Sequence, residues 1–330
     1  MKLAETLRLE PLGGDLARVE AELGEAVRHQ DRFLGDVASH LVGAGGKRVR
    51  PTLALGAAYA ATDADGPATA EAVTGAVAVE LVHLGSLYHD DVIDEAETRR
   101  GVPSVNARWS NIVAILSGDF LLARASSLAA SLGADVAGLL ADTIGELCRG
   151  QVLELQHLFD VDRSEEGYAS AIEGKTASLF AASCRIGGMV TGADEPGLDA
   201  LTRYGHHLGL CFQIVDDVLD ITATDDALGK PAGQDLVEGV YTLPVLRTLA
   251  LGRSAGDELA SLLGQPLEMA ERDKALAIVR ANEGVESAAA TARQYVMAAE
   301  SACSDLPDGP ATDALRAAAG TLLESAIIPA

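Results

Sequence analysis

The sequence predicts an all-α fold, on three observations. Its hydrophobic share of 48% is carried largely by alanine, leucine and valine, with only 4% aromatics, a mixture that favours helices and excludes disorder. The apolar segments are long and spaced by three and four residues, without the short Val/Ile/Thr alternation of strands. Turn-forming residues gather at a few places only, namely 62–67, 100–104, 160–166, 192–197, 222–234 and 304–310.

In chain order, Ala68 to Asp94 sets Val73, Val77, Leu81, Leu84 and Leu87 along one stripe and reads as one long helix. Segments 111–132, 135–158 and 175–190 are Ala/Leu-rich runs between turn clusters and also read as helices. Leu201 to Ile221 repeats the first pattern, with Leu208, Cys211, Ile214, Val215, Val218 and Leu219 apolar. Segments 235–250 and 281–303 complete the set. The expectation is a bundle of about ten or more helices. No Pro/Ser-rich linker or shift in composition divides the chain, so residues 1–330 are expected to form a single domain.

Against 25 Lys and Arg stand 49 Asp and Glu, a formal net charge of −24. Generic nucleic-acid binding through a basic surface is excluded, and any anionic ligand must meet a local basic cluster. Cys148, Cys184, Cys211 and Cys303 are far apart, show no C-x-x-C spacing and read as reduced, mostly buried thiols of a cytoplasmic protein. The first residues lack the apolar core of a signal peptide, and Glu80, His83, Asp119 or Arg124 interrupt the richest apolar stretches. No stable membrane insertion is expected.

Nearly the same pentad occurs twice, Asp90-Asp91-Val92-Ile93-Asp94 and Asp216-Asp217-Val218-Leu219-Asp220, each at the C-terminal end of a long apolar helix. Helical spacing lets the three carboxylates of each pentad converge on one side. They would repel one another at the negative end of the helix dipole unless cations occupy the cluster. Hard divalent ions with oxygen ligands suit such a cluster, and Mg²⁺ in particular shares its shell with water and phosphate oxygens. A lone pentad of this kind in an acidic protein reads as a solvated helix end; the repetition argues otherwise.

Basic residues lie near by. Gly45-Gly46-Lys47-Arg48-Val49-Arg50-Pro51 sets Lys47 and Arg50 about a turn apart after a glycine pair, a spacing that can hold a phosphate between a point charge and a fork. Arg99-Arg100-Gly101 follows the first pentad, and Lys175-Thr176 and Lys230 lie beside glycines. Together they suggest diphosphate sites next to a metal cluster. His83, two turns before Asp90, shares its side of the helix, though a lone histidine on an apolar helix is as readily a core residue.

These blocks, with Glu80-Leu81-Val82-His83, Gly118-Asp119 and Phe212 to Asp220, run in one order from about Gly43 to Leu246. The chain thereby resembles the trans-isoprenyl diphosphate synthases, the polyprenyl synthetase family. The resemblance implies a single bundle around a central cavity, a homodimer, and condensation of isopentenyl diphosphate with an allylic diphosphate. It implies that Asp90, Asp91 and Asp94 with Asp216, Asp217 and Asp220 hold three Mg²⁺ ions that bind the allylic diphosphate. Gly46, Lys47, Arg50, His83 and Arg100 match the isopentenyl side, Arg99, Lys175 and Lys230 the allylic side, and Thr176 and Gln213 polar groups beside the developing carbocation. In one departure, Val240 stands where the family often has a second lysine. A class I terpene cyclase and an idle partner subunit are the competing readings; the complete second pentad and the intact basic blocks disfavour both. An active subunit that needs a small partner stays open.

A growing prenyl tail must run back along the helix of the first pentad, and one turn, about 5.4 Å, is close to one isoprene unit. Gly85 and Ser86 form the first floor and Leu81 and Val82 the next. No aromatic closes that level, so a product longer than C20 is expected, with geranylgeranyl diphosphate as the alternative if a facing helix supplies the floor. Close helix packing is the other reading of the two small residues.

Overall fold

The computed structural model describes residues 3–62, 66–224 and 231–327. Part of the turn cluster at 62–67, and the portion of 222–234 that carries Lys230, lie outside the described residues. The elements in order are α1 (Leu3–Leu7), α2 (Leu12–Ala26), α3 (Arg32–Ala38), α4 (His40–Gly43), α5 (Val49–Thr62), α6 (Ala70–Ile93), the strands β1 (Thr98–Arg99) and β2 (Val102–Pro103), α7 (Val105–Arg108), α8 (Asn111–Ser131), α9 (Ala134–Gln156) and α10 (Glu165–Ile172). A π turn, Glu173–Ala177, leads into α11 (Ser178–Thr191) and α12 (Glu195–Thr222). Then come α13 (Gln234–Glu238), α14 (Leu243–Ala250), α15 (Arg253–Ala260), α16 (Met269–Arg280), α17 (Gly284–Ala302) and α18 (Pro310–Ile327). Among the described residues the chain is all-α apart from one two-stranded ribbon.

Residues cluster into two compact units: Met1–Ile144, Leu179–Gly205 and Ala302–Ala318 in the first, and Gly145–Ser178, His206–Ser301 and Ala319–Ala330 in the second. The first is built on α6, which packs on α2, α5 and α8. Thr69 caps α6 by accepting from the Ala72 N–H at 3.1 Å, and Ser110 caps α8 through Val113 at 3.2 Å. α5 is buried nearly all round, from Pro51 to Ala60, and α11 approaches it so closely that a Cβ on Gly187 would collide with the Ala54 carbonyl oxygen. In the second unit α10 packs on α14, α14 on α15 and α16, and α13 on α16.

The helix predicted over 235–250 is two helices. Gly239 takes the left-handed conformation (φ 78°) at the end of α13, and Thr242 is extended with Pro244 in the first turn of α14, so the chain stops and restarts there. α6 and α8 are both long and apolar enough to cross a membrane by length and composition, contrary to the expectation that their charges would interrupt them. α6 is a core helix, with two thirds of its most apolar window buried; α8 buries only a third. Cys184, Cys211 and Cys303 are buried and Cys148 is exposed.

Candidate active site

In the first unit the basic block and the first pentad are brought together by the ribbon after α6. Glu95 (φ 50°) turns the chain away from the helix end, and β1 and β2 pair in register Thr98↔Pro103 and Arg99↔Val102. The two-residue turn between them, Arg100-Gly101, has φ of 55° and 77°, the positive pair that a tight hairpin turn requires. Arg99 thereby reaches back to Asp91, whose Oδ1 accepts from Nε at 2.7 Å and pairs with Nη2 at 2.6 Å. Asp91 is fully buried; burial pushes its carboxyl up and Arg99 pulls against it. Asp90 is half-buried and Asp94 exposed at the C-cap of α6.

Arg100 donates to the Gly45 and Leu41 carbonyls. Gly46 gives it room, since a Cβ there would lie 2.8 Å from Nη1. Beneath it lies Glu80, 1% exposed. Glu80 Oε1 accepts from Arg48 Nη1 at 2.8 Å and stands 4.0 Å from Arg100 Nη2. Arg48, buried and in the left-handed region (φ 47°), also pairs with Glu20 at 2.5 Å. Burial works against its charge, yet Glu20 and Glu80 outweigh it and its pKa is raised. Arg50 lies 5.2 Å over the Phe180 ring with Nε buried and without a hydrogen-bond partner, and burial lowers its pKa to about 10. Lys47 is exposed. Burial, then Arg50, Arg100, Arg48 and Arg99, hold the His83 pKa well below its ordinary value, so His83 is neutral at pH 7. His89 contacts α8, through the Ile115 carbonyl at 3.2 Å and Asp119 at 3.4 Å.

In the second unit, three residues singled out from the sequence form one hydrogen-bonded chain. Thr176 Oγ1 donates to Gln213 Oε1 at 2.7 Å, and Gln213 Nε2 donates to Asp217 Oδ1 at 2.9 Å. The other Asp217 oxygen accepts from the Tyr168 hydroxyl. Burial raises the Asp217 pKa to about 7 against the pull of Tyr168 and Gln213. Asp216 is exposed and Asp220 buried, with the Asp235 N–H 3.4 Å from Asp220 Oδ2. Lys175 pairs with Glu154. Thr176 and Lys175 sit in the π turn, which forms where α9 comes in backbone to backbone: a Cβ on Gly174 would lie 2.7 Å from the Glu146 carbonyl oxygen. Such wide turns are frequent at functional sites.

The convergence of three carboxylates expected from helical spacing is not realised: among the described residues no group of three or more His, Cys, Asp or Glu side chains stands close enough to hold a metal ion. Like charges at one helix end repel, and Asp91 and Asp217 turn to Arg99 and to Tyr168 and Gln213. The donor chemistry nonetheless suits magnesium, being carboxylate oxygen throughout. Asp91 also keeps Oδ2 buried without a hydrogen-bond partner, an oxygen that a hard cation could take. Sequence reasoning missed Glu80, Arg48, Glu154 and Tyr168 beside the site residues; Glu80 and Arg48 lie inside recognised blocks, but nothing local marks the other two.

Leu81 and Val82 are fully buried and Ser86 half-buried. Gly85 lies in the contact of α6 with α8, where a Cβ would meet the Gly118 carbonyl oxygen at 3.1 Å and Leu122 at 3.2 Å. Its small size serves helix packing, which leaves Ser86 to test the floor.

The family described as polyprenyl synthetase matches residues 31–279. The chain is 42% identical over 303 residues to a nonaprenyl diphosphate synthase of Mycobacterium tuberculosis, covering 92% of this chain and 90% of that one. It is 41% identical over 307 residues to heptaprenyl diphosphate synthase component 2 of Geobacillus stearothermophilus, covering 92% and 94%. The crystal structure of a decaprenyl diphosphate synthase from Rhodobacter capsulatus superposes with a TM-score of 0.89 at 34% identity, covering 97% of this chain and 98% of that one.

Proposed function

The chain belongs to the polyprenyl synthetase family, and from that premise we propose how its residues divide the work. It is a prenyltransferase that condenses isopentenyl diphosphate with an allylic diphosphate into an all-trans polyprenyl diphosphate longer than C20, as the long-chain relatives indicate. The observation that carries the assignment of sites is the gathering of Arg48, Arg50, Arg99 and Arg100 about Glu80 and Asp91, in a chain whose net charge is −24. One region holds cationic side chains for a diphosphate beside carboxylates for a metal.

Asp90, Asp91, Asp94, Asp216, Asp217 and Asp220 would hold magnesium, three ions in all, and the bound metal supplies positive charge to the departing diphosphate. Lys47, Arg50 and Arg100, with neutral His83 as a hydrogen-bonding group, bind isopentenyl diphosphate. Arg99, Lys175 and Lys230 bind the allylic diphosphate. Thr176 fixes the Gln213 carboxamide, whose other end is tied to Asp217, so both oxygens are placed to stabilise an allylic cation without reorganising. The departing diphosphate takes the proton lost at the end. Val240 leaves the allylic side without the second lysine.

The protein works in the cytoplasm as a homodimer without membrane insertion. The exposed Ile112, Ile115 and Leu116 on α8 form an apolar stripe that a second copy covers. A second reading, in which that stripe seats a small partner component, is favoured by the name of the Geobacillus relative. Incubating the purified protein alone with Mg²⁺, isopentenyl diphosphate and each allylic starter, followed by chromatography of the dephosphorylated products, tests the assignment. A product longer than C20 supports it, and no product without an added component favours the second reading. In the same assay Ser86→Phe is expected to shorten the product to roughly C15 or C20.

A further inference from the structure

Arg163, in the loop between α9 and α10, is 5% exposed. Its Nη1 donates to the Tyr241 carbonyl at 3.3 Å, while Nε and Nη2 are buried with no hydrogen-bond partner among the described residues. A guanidinium stays charged and carries five N–H donors, so burying it with two nitrogens unpaired is costly unless neighbouring negative charge holds it. Glu154, Asp217 and Asp160 are the carboxylates whose charge reaches it.

Arg163 Cζ lies 5.6 Å from the centroid of the Tyr168 ring, the ring whose hydroxyl donates to Asp217. A cation over the ring face draws electron density from the phenol and strengthens its O–H as a donor to a carboxylate. The same guanidinium holds the chain beside Val240, where the Phe159 N–H also donates to the Gly239 carbonyl at 2.9 Å. Arg163 therefore touches both the support of the second pentad and the turn that precedes α14.

We propose that Arg163 is a positioning residue whose buried charge, acting through Tyr168 and Asp217, sets the second pentad's balance between binding metal and binding allylic diphosphate. It touches no substrate. Its charge weakens the pull of the carboxylates on a bare cation and favours the anion that arrives with the metal. This rests on the reading of Asp216, Asp217 and Asp220 as a metal and allylic diphosphate site.

The experiment compares Arg163→Gln, Arg163→Lys, Val240→Lys and the double variant Arg163→Gln/Val240→Lys by terbium luminescence titration without substrate and by steady-state kinetics. At an effective dielectric near 20, loss of a charge at this range is expected to tighten terbium binding and raise the allylic KM, each by about three- to tenfold. The KM for isopentenyl diphosphate should stay within about twofold, being read by a different set of side chains. Arg163→Lys should stay close to the parent, and a lysine at 240, next to the residue that holds Arg163, should reverse both changes in the double variant. A merely structural role would weaken terbium and substrate binding together, which overturns the proposal. So would unchanged binding, a double variant that reverses neither change, or an Arg163→Gln protein that folds only with a basic residue restored at 163. Asp216→Ala serves as the control: normal turnover there would remove the site assignment itself, whereas its loss together with an inert Arg163→Gln would refute the role of Arg163 alone.

Discussion

The two acidic pentads are nearly the same in sequence and differ in how the fold holds the middle carboxylate. Asp91 is gripped by a cation eight residues on, since the ribbon after α6 folds Arg99 straight back onto it. Asp217 takes its hydrogen bonds from two neutral donors, Tyr168 and Gln213, and burial leaves its pKa near 7. One pentad carries a counter-charge eight residues on; the other has a neutral donor one turn before it on α12 and a second brought from a segment 49 residues away. A motif therefore fixes the ligand chemistry, while the surroundings decide how tightly each carboxylate is held before a ligand arrives.

The largest expected effect ignores that difference. Asp90→Ala and Asp216→Ala each remove an accessible carboxylate, and each is expected to cut turnover at least about a hundredfold while the melting temperature holds. Near-normal turnover in both would sink the metal assignment, and loss in one only would show that the pentads do unequal work. Next is Glu80→Gln, which strands Arg48 with Glu20 alone and unbalances Arg50 and Arg100. Breaking a buried pair costs about 3–5 kcal/mol, so denaturant unfolding should register a large loss, with a KM increase confined to isopentenyl diphosphate. A variant as stable as the parent would mean that Glu20 suffices for Arg48. Tyr168→Phe sharpens the contrast further. Losing a hydrogen bond of about 1.5–3 kcal/mol to a carboxylate should lower kcat about tenfold or more, whereas among the described residues no tyrosine hydroxyl bonds to Asp91.

The smallest effect uses the same pairing away from either pentad. Asp15 in α2 accepts from the Tyr59 hydroxyl at 2.5 Å, the Ala68 N–H at 2.6 Å and Arg18 at 2.6 Å. Burial raises its pKa, but these partners outweigh it and the net shift is downward. A folded-state pKa below the unfolded value of about 3.9 means stability that is present above that pH and lost as pH falls toward the folded value. Asp15→Asn should lower the melting temperature by a few degrees at pH 7, with the gap from the parent closing below about pH 4. A gap that is constant with pH would show that shape, not charge, matters at Asp15.

How much of this was legible depended on sequence separation. The pentads, the basic blocks, and helices α6, α8, α9 and α12 were readable because each is defined within a short window or by a sustained stripe. No helix before residue 68 was predicted: α5 is buried nearly all round and so shows no polar face to give it a period. Tyr168 and Asp217 are 49 residues apart and Glu80 and Arg48 are 32 apart; no local pattern announces such pairs. The break at Gly239 was missed: it spans only four residues, and its two stop signals, Gly239 and Pro244, lie inside a run whose remaining apolar composition suits a helix. The π turn was likewise invisible, and the helix predicted from 175 starts inside it.

That wide turn also bears on how the segment can change over evolutionary time. A π turn spends an extra residue on an advance that an α-helix would make with fewer, so α10 and α11 follow separate angular registers. Deleting one residue within 173–177 would leave a regular helix with α11 still presenting the same side to α5. A deletion elsewhere between 165 and 191 would rotate everything downstream by about 100°. The segment thus has one point at which its length can drift without turning α11 away from α5, and it coincides with Lys175 and Thr176. Purifying selection on that length is then a measure of the chemistry those two residues perform.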